Sequence, residues 1–184
     1  EALAKKWTAS VNLIAPATVS DLWDRHIVDS QQLFSLIPEE SKTLVDLGSG
    51  AGFPGVVLAI MLQEIHPHAR VTLIEADKRK CVFLRTVSRE TQTPFDVVAD
   101  RIEVVDAQAA DVVTARALAA LPRLLIWADQ HMKPGGKALF LKGASALKEI
   151  AAAKADWSFR CNEHPSKTDA NGKILDIGEL RRAG

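Results

Sequence analysis

Four glycines within eight residues, directly after an apolar run, constrain this chain more than any other stretch: Val45-Asp46-Leu47-Gly48-Ser49-Gly50-Ala51-Gly52-Phe53-Pro54-Gly55. Thr43 to Leu47 reads as a short buried strand and Val56 to Ile65 as a helix, so the glycines make the turn between them. A strand, tight turn and helix in that order commit the neighbouring sequence to parallel strands joined by right-handed crossovers. The glycines also imply close approach of a ligand to bare backbone. Two frames compete. From Gly50 the letters give G-x-G-x-x-G, the dinucleotide fingerprint; from Asp46 they give acid-x-G-x-G-x-G, the loop associated with S-adenosylmethionine.

The rest of the chain alternates as such a sheet requires. Asp21 to Leu36 has helical spacing of apolar residues, with Ser20 as N-cap. Further strands are expected at Val71–Glu75, Phe95–Ala99, Val112–Thr114 and Ala138–Leu141, and helices at Lys78–Glu90 and Leu121–His131. Trp157–Glu163 and Ile174–Leu180, separated by Asp169-Ala170-Asn171-Gly172, read as a closing antiparallel hairpin. The expected fold is α/β and Rossmann-like: a mostly parallel seven-stranded sheet with a C-terminal antiparallel hairpin, the outline of a class I methyltransferase. One domain over 1–184 is expected, with a helical segment over 1–40, trimmed at its start, and a cofactor-binding core over 41–184.

The ligand chemistry favours the second frame. Dinucleotide sites hold a pyrophosphate on free N–H groups at a helix start, and Pro54 deletes one such donor. S-adenosylmethionine has no phosphate and carries cationic sulfonium and ammonium groups, so a carboxylate such as Asp46 and a thin loop of Gly48, Gly50 and Gly52 suit it. Glu75, at the end of the next strand, is placed to accept from ribose hydroxyls, which either ligand would offer. Glycines serving only close strand–helix packing are the simpler alternative, and two flanking acids weigh against it.

Four more stretches sharpen the reading: Arg25-His26-Ile27-Val28-Asp29-Ser30, Arg101-Ile102-Glu103, Thr114-Ala115-Arg116-Ala117 and Leu141-Lys142-Gly143. Together with D-L-G-S-G-A-G-F-P-G, in this order and spacing, the chain from about Trp7 onward resembles the bacterial guanine-N7 methyltransferases of small-subunit (16S) ribosomal RNA, the glucose-inhibited division protein B (GidB) family. The resemblance implies S-adenosylmethionine as cofactor, with Gly48 and Phe53 lining it, Ile102 and Glu103 flanking its adenine, and Arg116 reaching the cofactor or target pocket. It implies 16S ribosomal RNA or the small subunit as partner. The scarcity of cysteine makes a reducing, cytoplasmic setting the simplest one, and a monomer is expected. One departure is Asn12-Leu13-Ile14, where that family reads N-L-T.

Arg116 and Lys142 fall at C-terminal strand ends, where open sheets bind ligands, and are the candidate catalytic, positioning pair; no general base is expected. A surface salt bridge is the alternative for Lys142. His26, Asp29 and Ser30 share a helix face too closely to work in series as a triad, and a structural network under the glycine loop is expected. Trp7 and Trp23 are expected in the core. Lys78, Arg85 and Arg89 form a stripe that suits solvent first and an RNA backbone second. Lys plus Arg and Asp plus Glu both number 23, so an RNA site must be a local patch. Two cysteines, Cys81 and Cys161, suggest neither a disulfide framework nor a metal cluster, and no apolar run is long enough to span a membrane. Other functions that the fold allows are a nicotinamide oxidoreductase and a non-catalytic RNA-binding assembly factor.

Overall fold

The structure is a computed structural model describing residues 1–183. Its seven strands are β1 (Thr43–Leu47), β2 (Arg70–Ile74), β3 (Asp96–Val98), β4 (Ala110–Arg116), β5 (Met132–Lys142), β6 (Trp157–Pro165) and β7 (Lys173–Arg182). They form one sheet in the order β3-β2-β1-β4-β5-β7-β6. β1 to β5 are mutually parallel, and β7 runs antiparallel to both β5 and β6. The strand order reverses beside β1, and the glycine loop leaves the C-terminal end of that strand, where ligands bind in open sheets of this kind.

Helices α1 (Ala2–Val11), α3 (Gly55–Ile65) and α4 (Lys78–Thr91) pack on one face; α5 (Leu121–His131) and α6 (Ala146–Ala153) pack on the other, and a short helical turn, α2 (Asp29–Gln31), precedes β1. Strand alternation divides the core accordingly. Leu44 and Val112 join Leu58, Leu62 and Leu84, whereas Val45 and Val113 join Leu121, Leu125 and Trp157. Leu22 and Leu33 are fully buried and fasten the segment before β1 to the first face, each contributing about 1.5–3 kcal/mol.

Two expectations need correction. Asp21–Leu36 is not a continuous helix: Trp23–Val28 is π-helical, Asp29–Gln31 makes one α-turn, and Phe34–Leu36 is 3-10. Ser30 Oγ donates to the His26 carbonyl at 2.5 Å, a back-bond of the kind that loosens the helical ladder. Trp23 lies off the face that holds Leu22 and Leu33, and it is 54% exposed rather than in the core. Trp7, by contrast, packs on Phe83 with ring centroids 5.7 Å apart. The structure adds a helix that the sequence analysis does not place, α6, half of whose eight residues are alanine.

Of the basic stripe, Lys78, Arg85 and Arg89 are all exposed. Arg85 donates to the Val97 carbonyl at 3.0 Å and Arg89 pairs with Glu90 at 3.1 Å. Cys81 is buried against the Glu75 carbonyl, and burial raises its thiol pKa, which makes it a poor nucleophile.

Candidate active site

The glycine loop turns its donors inward. Ser49 N–H donates to the Ile74 carbonyl, Gly50 N–H to Glu75 Oε2 at 2.8 Å, Gly52 N–H to the Ser49 carbonyl, and Val56 N–H to the Gly52 carbonyl. Such a loop has few N–H groups left for a pyrophosphate, which bears against the dinucleotide frame. Gly48 has φ +60°, and a Cβ there would collide with the Leu118 side chain. Gly55 serves packing instead, since a Cβ would run into Leu73 and Asp46. The four glycines thus divide between an unusual backbone path at Gly48, Gly50 and Gly52 and close helix–strand packing at Gly55.

Beside the loop lies a cleft of about 430 Å³ lined by Gly48, Gly50, Ile74, Glu75, Ile102, Glu103, Arg116, Leu118 and Trp127, among others. Glu75 is the clamp between loop and β2: besides Gly50 it accepts from the Asp77 N–H at 2.7 Å, and both oxygens keep a lone pair for a ligand hydroxyl. Ile102 is buried, and Glu103 is held between Arg123 at 3.0 Å and Arg101 at 3.6 Å.

Three expected residues are not on that lining. Asp46 is fully buried under the loop on the α3 face, where its Oδ1 accepts from Thr114 Oγ1 at 2.7 Å. Its Oδ2 draws some stabilisation from the Gly55 N–H but makes no fully formed hydrogen bond. Burial raises its pKa to about 6. Gly52 is buried behind the loop. Phe53 is stacked on His26, centroids 5.3 Å apart, with the Arg116 guanidinium 5.3 Å from its ring centre.

A second cleft, of about 590 Å³, adjoins the first and shares Arg116 and Ala117 with it. Its lining includes Thr18, Arg25, His26, Asp29 and Lys142, and Ser166, Thr168, Asp169 and Ala170 from the β6–β7 tip. Arg116 is fixed by its fork. Nη1 donates to the Arg25 carbonyl at 3.0 Å and lies 3.4 Å from Asp29 Oδ2, while Nη2 lies 2.7 Å from His26 Nδ1. Because guanidinium only donates, His26 Nδ1 must accept, and its Nε2–H is left to donate to Thr18 Oγ1 at 3.1 Å. Burial first, and then Arg116, lower the His26 pKa from 6.5 to about 4. The expected network of His26 and Asp29 is present, with Arg116 at its centre.

Lys142 is not a free cation. Its Nζ donates to the Ala119 carbonyl at 2.9 Å and to Glu149 Oε2 at 2.7 Å, with both side chains largely buried. Glu149 Oε2 also accepts from the Leu121 N–H at 2.7 Å. Burial alone would raise the Glu149 carboxyl, but Lys142, Ser145 and that N–H outweigh it and hold it below its ordinary value. Lys142 thereby fixes the segment between Arg116 and α5. The sequence reading missed Thr18, Ser166, Thr168, Leu118 and Trp127, and only the turn signal at Asp169–Gly172 pointed near any of them.

These shifts make a stability prediction. His26, depressed to about 4, contributes stability that is present above pH 6.5 and lost as pH falls through about 4; Asp46, raised to about 6, contributes stability present below 3.8 and lost as pH rises through about 6. The two oppose each other between about pH 4 and 6. His26→Gln removes only the first, so its melting temperature relative to the parent's is expected to improve as pH is lowered from 6.5 to 4. A pH-independent difference in thermal unfolding would show that His26 is not held neutral.

Residues 1–177 match the family described as GidB, rRNA small subunit methyltransferase G. The chain is 51% identical over 181 residues to a protein of Paramagnetospirillum magneticum named ribosomal RNA small subunit methyltransferase G, covering 98% of this chain and 85% of that one. A protein of the same name from Rhodospirillum centenum is 49% identical, with 100% and 83% covered. Among solved structures, a SAM-dependent methyltransferase from Aquifex aeolicus superposes with TM-score 0.67 at 11% identity, covering 90% of this chain and 94% of that one. An O-methyltransferase from Bacillus cereus, in complex with SAH, superposes with TM-score 0.62 at 12% identity, covering 97% and 91%. With its glycine loop, strand order and nearly full-length matches in agreement, this chain belongs to the GidB family of small-subunit ribosomal RNA methyltransferases.

Proposed function

We propose that this protein is an S-adenosylmethionine-dependent methyltransferase that modifies N7 of a guanine in 16S ribosomal RNA, with the cofactor in the cleft beside the glycine loop and the guanine in the cleft across Arg116. The observation that carries this reading is the pair of clefts meeting at Arg116 and Ala117.

The residues present fit the cofactor. A cleft of about 430 Å³ lies within the range of small-molecule sites. The loop's donors are spent internally, which suits a cationic ligand better than a phosphate. Glu75 would accept from the ribose hydroxyls, Gly48 and Gly50 would offer bare backbone, and Ile102 and Glu103 would flank the adenine. Asp46 acts from beneath by bracing Thr114 and the start of α3, and Phe53 acts by supporting His26 and Arg116. When bound, S-adenosylmethionine supplies an electrophilic methyl group on a sulfonium sulfur.

The protein's own task is then orientation. Guanine N7 presents a free in-plane lone pair, so no proton need be removed for attack. Arg116, locked by three partners, and Lys142, which fixes the adjoining segment, position the two clefts relative to each other. Such alignment can lower a barrier by roughly 7–11 kcal/mol. The segment 1–40 and the core 41–184 are proposed to work as one unit, since Arg116 is held by Arg25, His26 and Asp29. A monomer in the cytoplasm suffices for this activity. No helix among the described residues is long and apolar enough to cross a membrane.

The test combines binding and product. Calorimetry is expected to show S-adenosylmethionine and S-adenosylhomocysteine binding, weakened about tenfold or more by Glu75→Ala, with no NADH binding. Small subunits lacking the modification are expected to gain one N7-methylguanosine in their 16S RNA. Tight NADH binding that displaces S-adenosylhomocysteine would point to an oxidoreductase; RNA binding without product would point to an assembly factor.

A further inference from the structure

Two distant segments and a near neighbour, Gln32, converge on the Asp29 carboxylate. Oδ1 accepts from Thr168 Oγ1 at 2.7 Å, Gln32 Nε2 at 2.8 Å and Ser166 Oγ at 3.4 Å, while Oδ2 faces Arg116 Nη1 at 3.4 Å. Gln32 adds two bonds of its own, accepting from the Lys167 N–H at 2.9 Å and donating to Ser166 Oγ at 3.2 Å. The tip of the β6–β7 hairpin, 166–172, has no large apolar side chain, and only Gly172 in it is buried. Its position over the cleft therefore depends on these polar contacts and not on core packing. Thr168, Asp169 and Ala170 line the larger cleft together with Arg25, His26 and Arg116, so the tip forms part of its boundary.

We propose that Asp29 and Thr168 are positioning residues for methyl transfer: the hairpin tip is a wall of the target-nucleotide cleft, latched by Thr168 to the same carboxylate that orients Arg116. This deepens the methyl-transfer reading and rests on it. Asp29 is partly covered, its side chain 15% exposed, and carries two kinds of load. One oxygen holds the tip. The other balances the charge of Arg116, itself 16% exposed. Releasing the first arm lets the wall move while the glycine loop and Glu75, held by hydrogen bonds of their own, keep their geometry.

Thr168→Val deletes the donor and keeps the shape; Thr168→Ser keeps the donor. In methyl transfer to unmodified small subunits, Thr168→Val is expected to lower kcat/KM for the RNA about tenfold, with S-adenosylhomocysteine affinity by calorimetry unchanged and Thr168→Ser near the parent value. Asp29→Asn keeps an acceptor for Thr168 but turns an amide donor toward Arg116, and the double variant with Thr168→Val is expected to lose less than the product of the two single losses. Amide hydrogen exchange supplies a readout independent of activity: Thr168→Val is expected to speed exchange at 167–172 and not at 48–52. Parent-like kcat, KM and exchange in Thr168→Val, or equal damage in Thr168→Ser, would overturn the latch. A parent protein that makes no N7-methylguanosine would instead overturn the reading beneath it, and the exchange result would still decide the latch.

Discussion

Small-subunit RNA carrying 7-deazaguanine at the target position will bind this protein and will not be methylated. The replacement removes the proposed nucleophilic nitrogen while leaving the Watson–Crick edge intact, so recognition survives and transfer is lost completely. The argument turns on protons. Methylation of an exocyclic amine, N1 or a ribose hydroxyl discards a proton and ordinarily recruits a general base with a visible pKa. The histidine bordering the proposed target cleft, His26, is unsuited to that role. Its Nδ1 is already engaged by Arg116, its Nε2–H points to Thr18, and its pKa is lowered to about 4. A single-turnover rate that is nearly flat between about pH 6.5 and 9 is expected with normal RNA for the same reason. Methylation of the 7-deaza RNA would assign the reaction to another atom.

Arg116→Lys is expected to slow methyl transfer roughly thirtyfold, equivalent to about 2 kcal/mol, although the charge is conserved. The guanidinium fork reaches the Arg25 carbonyl and Asp29 from one nitrogen and His26 from the other. A lysine ammonium, more compact and without the fork, cannot hold all three. The His26–Phe53 stack then loses the cation packed against it. Because the effect is one of orientation, the loss should fall mainly on the single-turnover rate with saturating RNA, with S-adenosylhomocysteine affinity changed far less. A lysine variant with the parent rate would show that charge alone suffices and that the fork is structural ornament.

The parallel core was legible because local patterns and topology agree there. The glycine turn follows β1 directly, and apolar runs alternate between strand and helix from Thr43 to Leu141. Six residues expected near the cofactor, Gly48, Gly50, Glu75, Ile102, Glu103 and Arg116, share one cleft because each stands at or just beyond the C-terminal end of a parallel strand. What the sequence concealed depends on long-range partners. Nothing at Lys142 announces that Glu149, on the eight-residue helix α6, will occupy it. Asp46 reads as a ligand-facing acid, yet strand alternation turns it toward Thr114 and α3. The π-helical path of Trp23–Val28 keeps the apolar spacing of an α-helix, so spacing alone could not reveal the break or the exposure of Trp23. The hairpin tip carries no large apolar side chain and is tied to the site through Asp29 and Gln32, more than 130 positions earlier in the chain.

The wall shared by the two clefts also has a thermodynamic meaning. Arg116 and Ala117 border both cavities, and Ala117 is held at φ +50°, a conformation unusual for a residue with a Cβ. A ligand that shifts this partition from one side changes the fit on the other, and linkage requires the exchange to be reciprocal. Whatever factor the bound cofactor applies to RNA affinity, bound RNA must apply to cofactor affinity. On the proposed assignment of the clefts, a partition of two residues is thus enough to link the two affinities, with no moving domain required.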